Sequence, residues 1–269
     1  MANSHRVRLR EWYARQRFAL SAANHPLYLA YARHIYKPKP GSAQEAFDRF
    51  SRKLNRPVRF VQVGANDGIT HDPIHLYIKR DGWQGVLLEP QQLLCERYLK
   101  PLYANNPEVT VVNAAIGEQA GEATLYTLAF SDKRWATGVG TFQRDVLQEA
   151  VKSGHIARRA VKAGDEIPIG EELIVGTQVP VITPDQLLAD HAIEQFDVLQ
   201  IDTEGYDYEV IKLFDLGRHK PLLVNYESAH LNASDREACQ ELLRSAGYTL
   251  REHGGDTLAV QPEVEHLLT

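Results

Sequence analysis

The sequence predicts an α/β protein: a doubly wound, mostly parallel seven-stranded sheet ending in a C-terminal antiparallel hairpin, with a helical segment in front of it. Three observations carry this reading. Short apolar runs alternate with amphipathic helical patterns between residues 58 and 246, as parallel strands joined by helical crossovers require. The last two apolar runs are separated only by His253-Gly254-Gly255-Asp256, a tight-turn signal. The KPKPG stretch at 37–41 is a stiff break that no helix or central strand crosses, so it divides a basic helical extension, 1–41, from a domain at 42–269.

Taken in order, 6–21 and 27–36 read as short amphipathic helices around Asn24-His25-Pro26. Ser42 and Glu45 have capping-box spacing, and Phe47, Phe50 and Leu54 then share one helical face. Strands are expected at 58–63, 85–89 and 109–113, with helices at 73–79 and 92–103 between them. A further strand-like run lies at 123–128. The rhythm then breaks over 129–178, where a charged helical stretch at 143–163 sits between Gly-containing loops; an excursion of this length is expected to be a lid or a substrate-contacting element. After it come helix 184–190, strand 196–202, helix 208–214, strand 222–227, helix 235–246 and the closing strands 249–252 and 257–260.

The chain has 269 residues, 43% hydrophobic and 24% charged, the composition of an ordinary globular protein. No apolar run approaches the roughly 20 residues of a membrane span, and the charged N-terminus lacks the pattern of a secretion signal, so a cytoplasmic location is expected. Cys95 and Cys239 show neither disulfide nor zinc spacing and are expected as buried thiols. The net charge of −5 hides an asymmetry: residues 1–56 hold 12 Lys+Arg against 3 Asp+Glu, and the remainder is acidic. The basic segment is expected to lie against the acidic face of its own domain or of a second subunit, because Trp12, Tyr13, Phe18 and Tyr28 among the basic residues call for burial; the apolar residues of these helices are also compatible with a homodimer contact. The acidic domain argues against nucleic acid as a partner.

In an open parallel sheet, ligands bind beyond the carboxyl ends of the strands. The first strand ends in Gly64-Ala65-Asn66-Asp67-Gly68, neither a dinucleotide fingerprint nor a phosphate loop; its glycines allow close backbone approach and its acidity suits a cationic ligand with an amino group and a sulfonium. The second ends in Glu89-Pro90, where an acid is placed to accept ribose hydroxyls. The third ends in Asn113-Ala114, small enough for an adenine slot. The fourth ends in Asp202-Thr203-Glu204 and the fifth in Glu227, followed by His230. For methyl transfer to a hydroxyl, His230 is a candidate base. Asp202, Glu204 and Glu227 are alternatively a set for Mg²⁺, which would orient a diol acceptor. Glu204 and Asp207 also suit the N-terminus of the following helix, leaving His230 an ordinary loop residue.

The blocks VGANDG, LEP, NAAIG, LQIDTEGYDYEVIK and NYESAHL, in this order and spacing, resemble the FkbM-type methyltransferase family over about 57–260. A parallel sheet closed by an antiparallel hairpin is also the architecture of class I methyltransferases. The resemblance implies S-adenosylmethionine as cofactor and O-methylation of a hydroxyl on a sugar, glycolipid or polyketide-type small molecule. It places Gly64, Asn66 and Gly68 in the cofactor loop, Glu89 on the ribose, Asn113 and Ala114 by the adenine, and Asp202 beside the methionine part or the acceptor. Two rival readings are a nicotinamide-dependent oxidoreductase, which the missing GxGxxG disfavours, and a non-catalytic partner-binding protein that keeps the fold. Residues 1–50 and 129–178 fall outside the resemblance.

Overall fold

The computed structural model describes residues 2–169 and 172–269, so two residues of the excursion, 170 and 171, lie outside the described residues. Two helices lead, α1 (Ala2–Ala22) and α2 (Pro26–His34), the second opening on Pro26 with His25 Nδ1 accepting from Leu27 N. The predicted capping box opens α3 (Ala43–Lys53): Ser42 Oγ accepts from Glu45 N, and Glu45 reaches back to Gly41 N at 2.7 Å. Then follow β1 (Arg59–Val63), α4 (His75–Asp81) and β2 (Gln84–Leu88). The predicted helix at 92–103 is α5 (Gln92–Leu94), a π-helical turn at Cys95–Leu99, and α6 (Lys100–Tyr103). Pro101 has no N–H to continue the regular ladder, which accounts for the wider turn before it.

The chain continues through β3 (Val109–Val112), β4 (Ala115–Ile116) and β5 (Gly121–Leu128) into α7 (Arg134–Thr137), α8 (Arg144–Lys152) and α9 (His155–Ala163). It returns as β6 (Ile174–Ile182), α10 (Pro184–Asp190), β7 (Val198–Ile201), α11 (Asp207–Leu213), β8 (Leu223–Glu227) and α12 (Ala233–Ser245), and ends in β9 (Thr249–His253), β10 (Asp256–Val260) and α13 (Glu265–Leu268). The main sheet has seven strands in the order β3-β2-β1-β7-β8-β10-β9, all parallel except β10, which runs antiparallel to both β8 and β9. This is the expected doubly wound sheet with its terminal hairpin.

Period-2 alternation gives the sheet two apolar faces. Phe60, Leu87 and Val198 point to one core with Phe47, Phe50, Tyr77 and Trp83; Val61, Val86 and Leu199 point to the other with Ile211, Phe214 and Leu243. Cys95 and Cys239 are buried free thiols, one in each core, as expected.

Two features depart from the expectation. Residues 174–182 form β6, which pairs antiparallel with β5 and parallel with β4 in a second, three-stranded sheet. The excursion expected at 129–178 therefore ends before Ile174. Most of β6 is exposed on both faces and is interrupted by Gly176 and Pro180, so it has no apolar alternation to betray it. The single helical stretch expected at 143–163 is split at Gly154, φ +72°. Leu128, Ala136, Leu147, Ile156 and Ile174 give this lid its own small core.

The second departure is in the basic extension. Phe18 packs on the main core and Tyr28 is buried, but Trp12 and Tyr13 are 58% and 63% exposed. The helices are held by buried polar contacts: Ser21 Oγ and Tyr28 Oη lie 3.0 and 3.3 Å from His75 Nε2. Arg17 and Arg33 donate to the Ile69 and Arg80 carbonyls, so these cations meet backbone oxygens of the domain instead of acidic side chains. Among the described residues, no helix is long and apolar enough to cross a membrane.

Candidate active site

The strand order reverses between β1 and β7, and a cavity of about 560 Å³ opens beyond their carboxyl ends under the lid. Its floor starts at Gly64, φ +82°, where a Cβ would lie 1.9 Å from the Asp202 carbonyl oxygen. Only glycine lets the ends of β1 and β7 meet this closely. The loop is stitched to β2, since Gly64 N and Ala65 N both donate to Leu88 O.

Beyond Gly64 the predicted loop residues divide. Asn66 has φ +47°, lines the cavity, and keeps its side-chain Oδ1 buried without a partner. Ala65 is buried behind it and does not line the cavity. Asp67 is turned inward, its Oδ1 accepting from Ile69 N and Thr70 N, an Asx turn that shapes the loop. Gly68 faces the π-helical turn, where a Cβ would meet Leu99 Cδ2 at 2.5 Å. The loop's own acid therefore does not line the cavity, contrary to expectation; the carboxylates that do are Glu89, Asp202, Glu204 and Asp235.

Glu89, 3% exposed, lies at the tip of β2. Its two oxygens accept from Asn66 N at 2.8 Å and Gln91 N at 2.9 Å. Burial pushes its carboxyl up to about 6, against the pull of those two N–H groups. Each oxygen retains lone-pair capacity toward the cavity for a pair of hydroxyls. Pro90 and Ala114 line the cavity with it. Asn113 does not: its Nδ2 donates to the Glu89 and Pro90 carbonyls at 2.9 Å and so ties the ends of β2 and β3 together.

On the other side, Asp202 is pushed up to about 8 by burial and by the neighbouring charges of Glu227, Asp207 and Glu204. Asp207 accepts from Thr203 Oγ1 at 2.9 Å and Glu227 N at 3.0 Å, knitting together the ends of β7 and β8; burial raises it to about 6. It serves the helix start and the strand ends and does not line the cavity, while Glu204 does line it, held at φ +54°. His230 Nδ1 lies 2.9 Å from Glu204 Oε2 and 2.9 Å from Glu227 Oε2. Those two carboxylates raise the ring to about 10. It is an imidazolium at neutral pH, which corrects the expectation of a histidine base.

The metal expectation also changes. The carboxylates of Glu204 and Glu227 come together with the His230 nitrogen, all within 4.8 Å, while Asp202 stands outside the group. An imidazole in place of the third carboxylate does not suit Mg²⁺, which takes oxygen ligands in octahedral geometry. Glu227 itself lies behind His230 and does not line the cavity.

The excursion adds to the cavity two side chains, Arg134 of α7 and Gln143, that the sequence did not single out, beside Thr137, Gly138 and Gly140, which it did. Gln91 Nε2 donates to Thr137 O at 3.1 Å and so fastens the lid beside Glu89. The only available signal was Gly138 and Gly140 in an otherwise irregular stretch.

Residues 62–250 match the model of the methyltransferase FkbM domain, well over half of the chain. This protein belongs to the FkbM methyltransferase family. Among solved structures, the FkbM-family chain is similar to the methyltransferase FkbM from Methylobacillus flagellatus KT, with 14% identity and a TM-score of 0.45 over 78% of this chain and 47% of that one. It is similar as well to the precorrin-6y C5,15-methyltransferase from Geobacter metallireducens GS-15, at 12% identity, TM-score 0.40, 85% of this chain and 94% of that one. A third is the N-terminal domain of human METTL16, at 13% identity, TM-score 0.40, 80% of this chain and 66% of that one. The chain thus spans about half the length of the Methylobacillus flagellatus protein. No curated protein matches it. Membership in a methyltransferase family sets aside the oxidoreductase reading.

Proposed function

We propose that this FkbM-family chain transfers a methyl group from S-adenosylmethionine to a hydroxyl of a sugar, glycolipid or polyketide-type small molecule. The observation that carries the reading is Glu89: a buried carboxylate at the tip of β2, held by Asn66 N and Gln91 N and facing the cavity beside Gly64. Several features fit the cofactor. Asn66 Oδ1 is a buried acceptor without a partner, Gly64 leaves backbone exposed where a Cβ has no room, and the acidic wall suits cationic groups.

Glu89 accepts both ribose hydroxyls, and Ala114 to Gly117 form the slot for adenine. Gly64 and Asp202 would lie along the methionine part, with Arg134 and Thr137 of the excursion on the same cavity. When bound, S-adenosylmethionine supplies a methyl carbon made electrophilic by its sulfonium. Glu204, Tyr206 and Asn232 line the part of the cavity beyond Asp202 and would hold the acceptor hydroxyl. Glu204 lines the cavity there and would take the hydroxyl proton. His230 cannot take it, because it already carries one.

Calorimetric titration with S-adenosylmethionine and S-adenosylhomocysteine checks this reading. Wild type is expected to bind both, and Glu89→Ala to weaken binding by about 1.5–3 kcal/mol, the cost of losing hydrogen bonds to a charged acceptor. Absence of binding to wild type overturns it.

A further inference from the structure

The cavity is lined by four carboxylates, Glu89, Asp202, Glu204 and Asp235, and by two cations, Arg134 and His230. His230 lies 2.9 Å from two of the chain's own carboxylates. Arg134 is different. Among the described residues its guanidinium forms no ion pair, and its Nε is buried without a hydrogen-bond partner. One of its five donors is thus buried without an acceptor, a cost that an anion entering the cavity would remove.

Its placement is built into the lid. Gly138, one helical turn after Arg134, has φ −73°, a conformation open to any residue. A Cβ there would nevertheless lie 2.1 Å from Arg134 Nη1, so the glycine provides space for the guanidinium. The Gln91–Thr137 hydrogen bond fixes this turn beside Glu89. Arg134 also favours the ionised forms of Glu89 and Asp202, so it lies near both.

We propose that Arg134 binds the α-carboxylate of the cofactor's methionine part. The inference rests on S-adenosylmethionine as the cofactor. That ligand carries two cationic groups, sulfonium and ammonium, and a single carboxylate. The acidic wall receives the cations and repels the carboxylate. Of the two cavity cations only Arg134 is uncommitted, and its fork matches a carboxylate in bidentate fashion. A lid residue thus reads the amino-acid end of the cofactor, and cofactor binding holds the lid over the acceptor site.

The test compares two ligands by calorimetry: S-adenosylhomocysteine, and 5′-deoxy-5′-methylthioadenosine, which keeps adenine, ribose and thioether but lacks the amino-acid group. Arg134→Gln is expected to weaken the first about 10- to 100-fold and to leave the second within about twofold, with an unchanged melting temperature. Gly138→Ala, which displaces the guanidinium without removing it, is expected to reproduce the selective loss, and Arg134→Lys to recover part of the affinity. Equal weakening of both ligands by Arg134→Gln overturns the proposal, since Arg134 would then act only through the shape of the lid. Undiminished binding of both overturns it too, and assigns Arg134 to an anionic acceptor. If wild type binds neither ligand, the cofactor reading falls, and this inference with it.

Discussion

Asp202 couples cofactor binding to pH in a way that can be worked out in advance. Its carboxyl is raised from 3.8 to about 8, first by burial and then by Glu227, Asp207 and Glu204. In the free protein at pH 7, about nine in ten Asp202 side chains therefore hold a proton. A sulfonium or ammonium group beside the carboxyl favours its ionised form and drives the proton off. S-adenosylmethionine should thus release protons, up to one per site, on binding at pH 7, and its affinity should rise with pH until Asp202 is ionised in the free protein. The stability of the free protein runs the other way. Because the folded pKa lies above the unfolded one, Asp202 favours folding at low pH, and that contribution is lost between about pH 4 and pH 8. Calorimetry at pH 7 in two buffers of different ionisation enthalpy counts the protons. S-adenosylhomocysteine, lacking the sulfonium, should release fewer, and Asp202→Asn none. Proton uptake, or the same release from Asp202→Asn, would refute the argument.

Two further outcomes concern the scaffold. Gly64→Ala adds a Cβ at φ +82°, 1.9 Å from the Asp202 carbonyl oxygen, and is expected to cost about 2–4 kcal/mol in urea denaturation and to abolish cofactor binding. His75→Leu removes the partner of three hydroxyls, those of Ser21, Tyr28 and Tyr103, for an expected loss of about 2–4 kcal/mol and faster tryptic cleavage at Arg17 and Arg33. Burial holds the His75 ring well below its ordinary 6.5, so the unfolded chain takes a proton that the folded one refuses. Wild type should therefore lose stability as pH falls below about 6.5, and His75→Leu should lack that slope.

The main sheet was legible because its strands are buried on both faces. Runs such as Phe60-Val61-Gln62-Val63 and Leu223-Val224-Asn225-Tyr226 stand out against the helices between them, and the Gly254-Gly255 turn marks the terminal hairpin. The polar interruptions in those two runs, Gln62 and Asn225, are themselves buried, and Asn225 Nδ2 is paired with Gln200 Oε1 across adjacent strands. β6 was illegible for the opposite reason. It is held mainly by its ladder to β5 and buries little, so no apolar period survives in its sequence. Trp12 and Tyr13 misled in another way: aromatic side chains favour burial on average, and in α1 the packing stops at Phe18.

In the site, what could be read was position along the chain, and what could not was direction. Strand ends determine which residues reach the cavity rim, so Gly64, Glu89 and Asp202 were found from spacing alone. Whether a rim side chain then faces inward depends on local hydrogen bonds that have no one-dimensional signature. Asp67 and Asn113 sit at rim positions as surely as Asn66 and Ala114, yet both spend their polar atoms on backbone groups of the loops they stabilise. His230 shows the same limit for charge. Its place after β8 marks it as a rim residue, but the approach of Glu204, from the end of a different strand, together with Glu227 raises the ring well above its ordinary range. Arg134 lay further out of reach, because a four-residue helix inside an irregular excursion offers no periodicity to interpret. The consequence is a division of labour. The strand-end residues Gly64 and Glu89, which the sequence displays, suit the adenosine part of the proposed cofactor, whereas the excursion, which it hides, adds Arg134 for the amino-acid part. Exchanging 129–173 with a family member that has no counterpart of Arg134 should therefore weaken binding of S-adenosylhomocysteine and leave Glu89-dependent binding of 5′-deoxy-5′-methylthioadenosine in place.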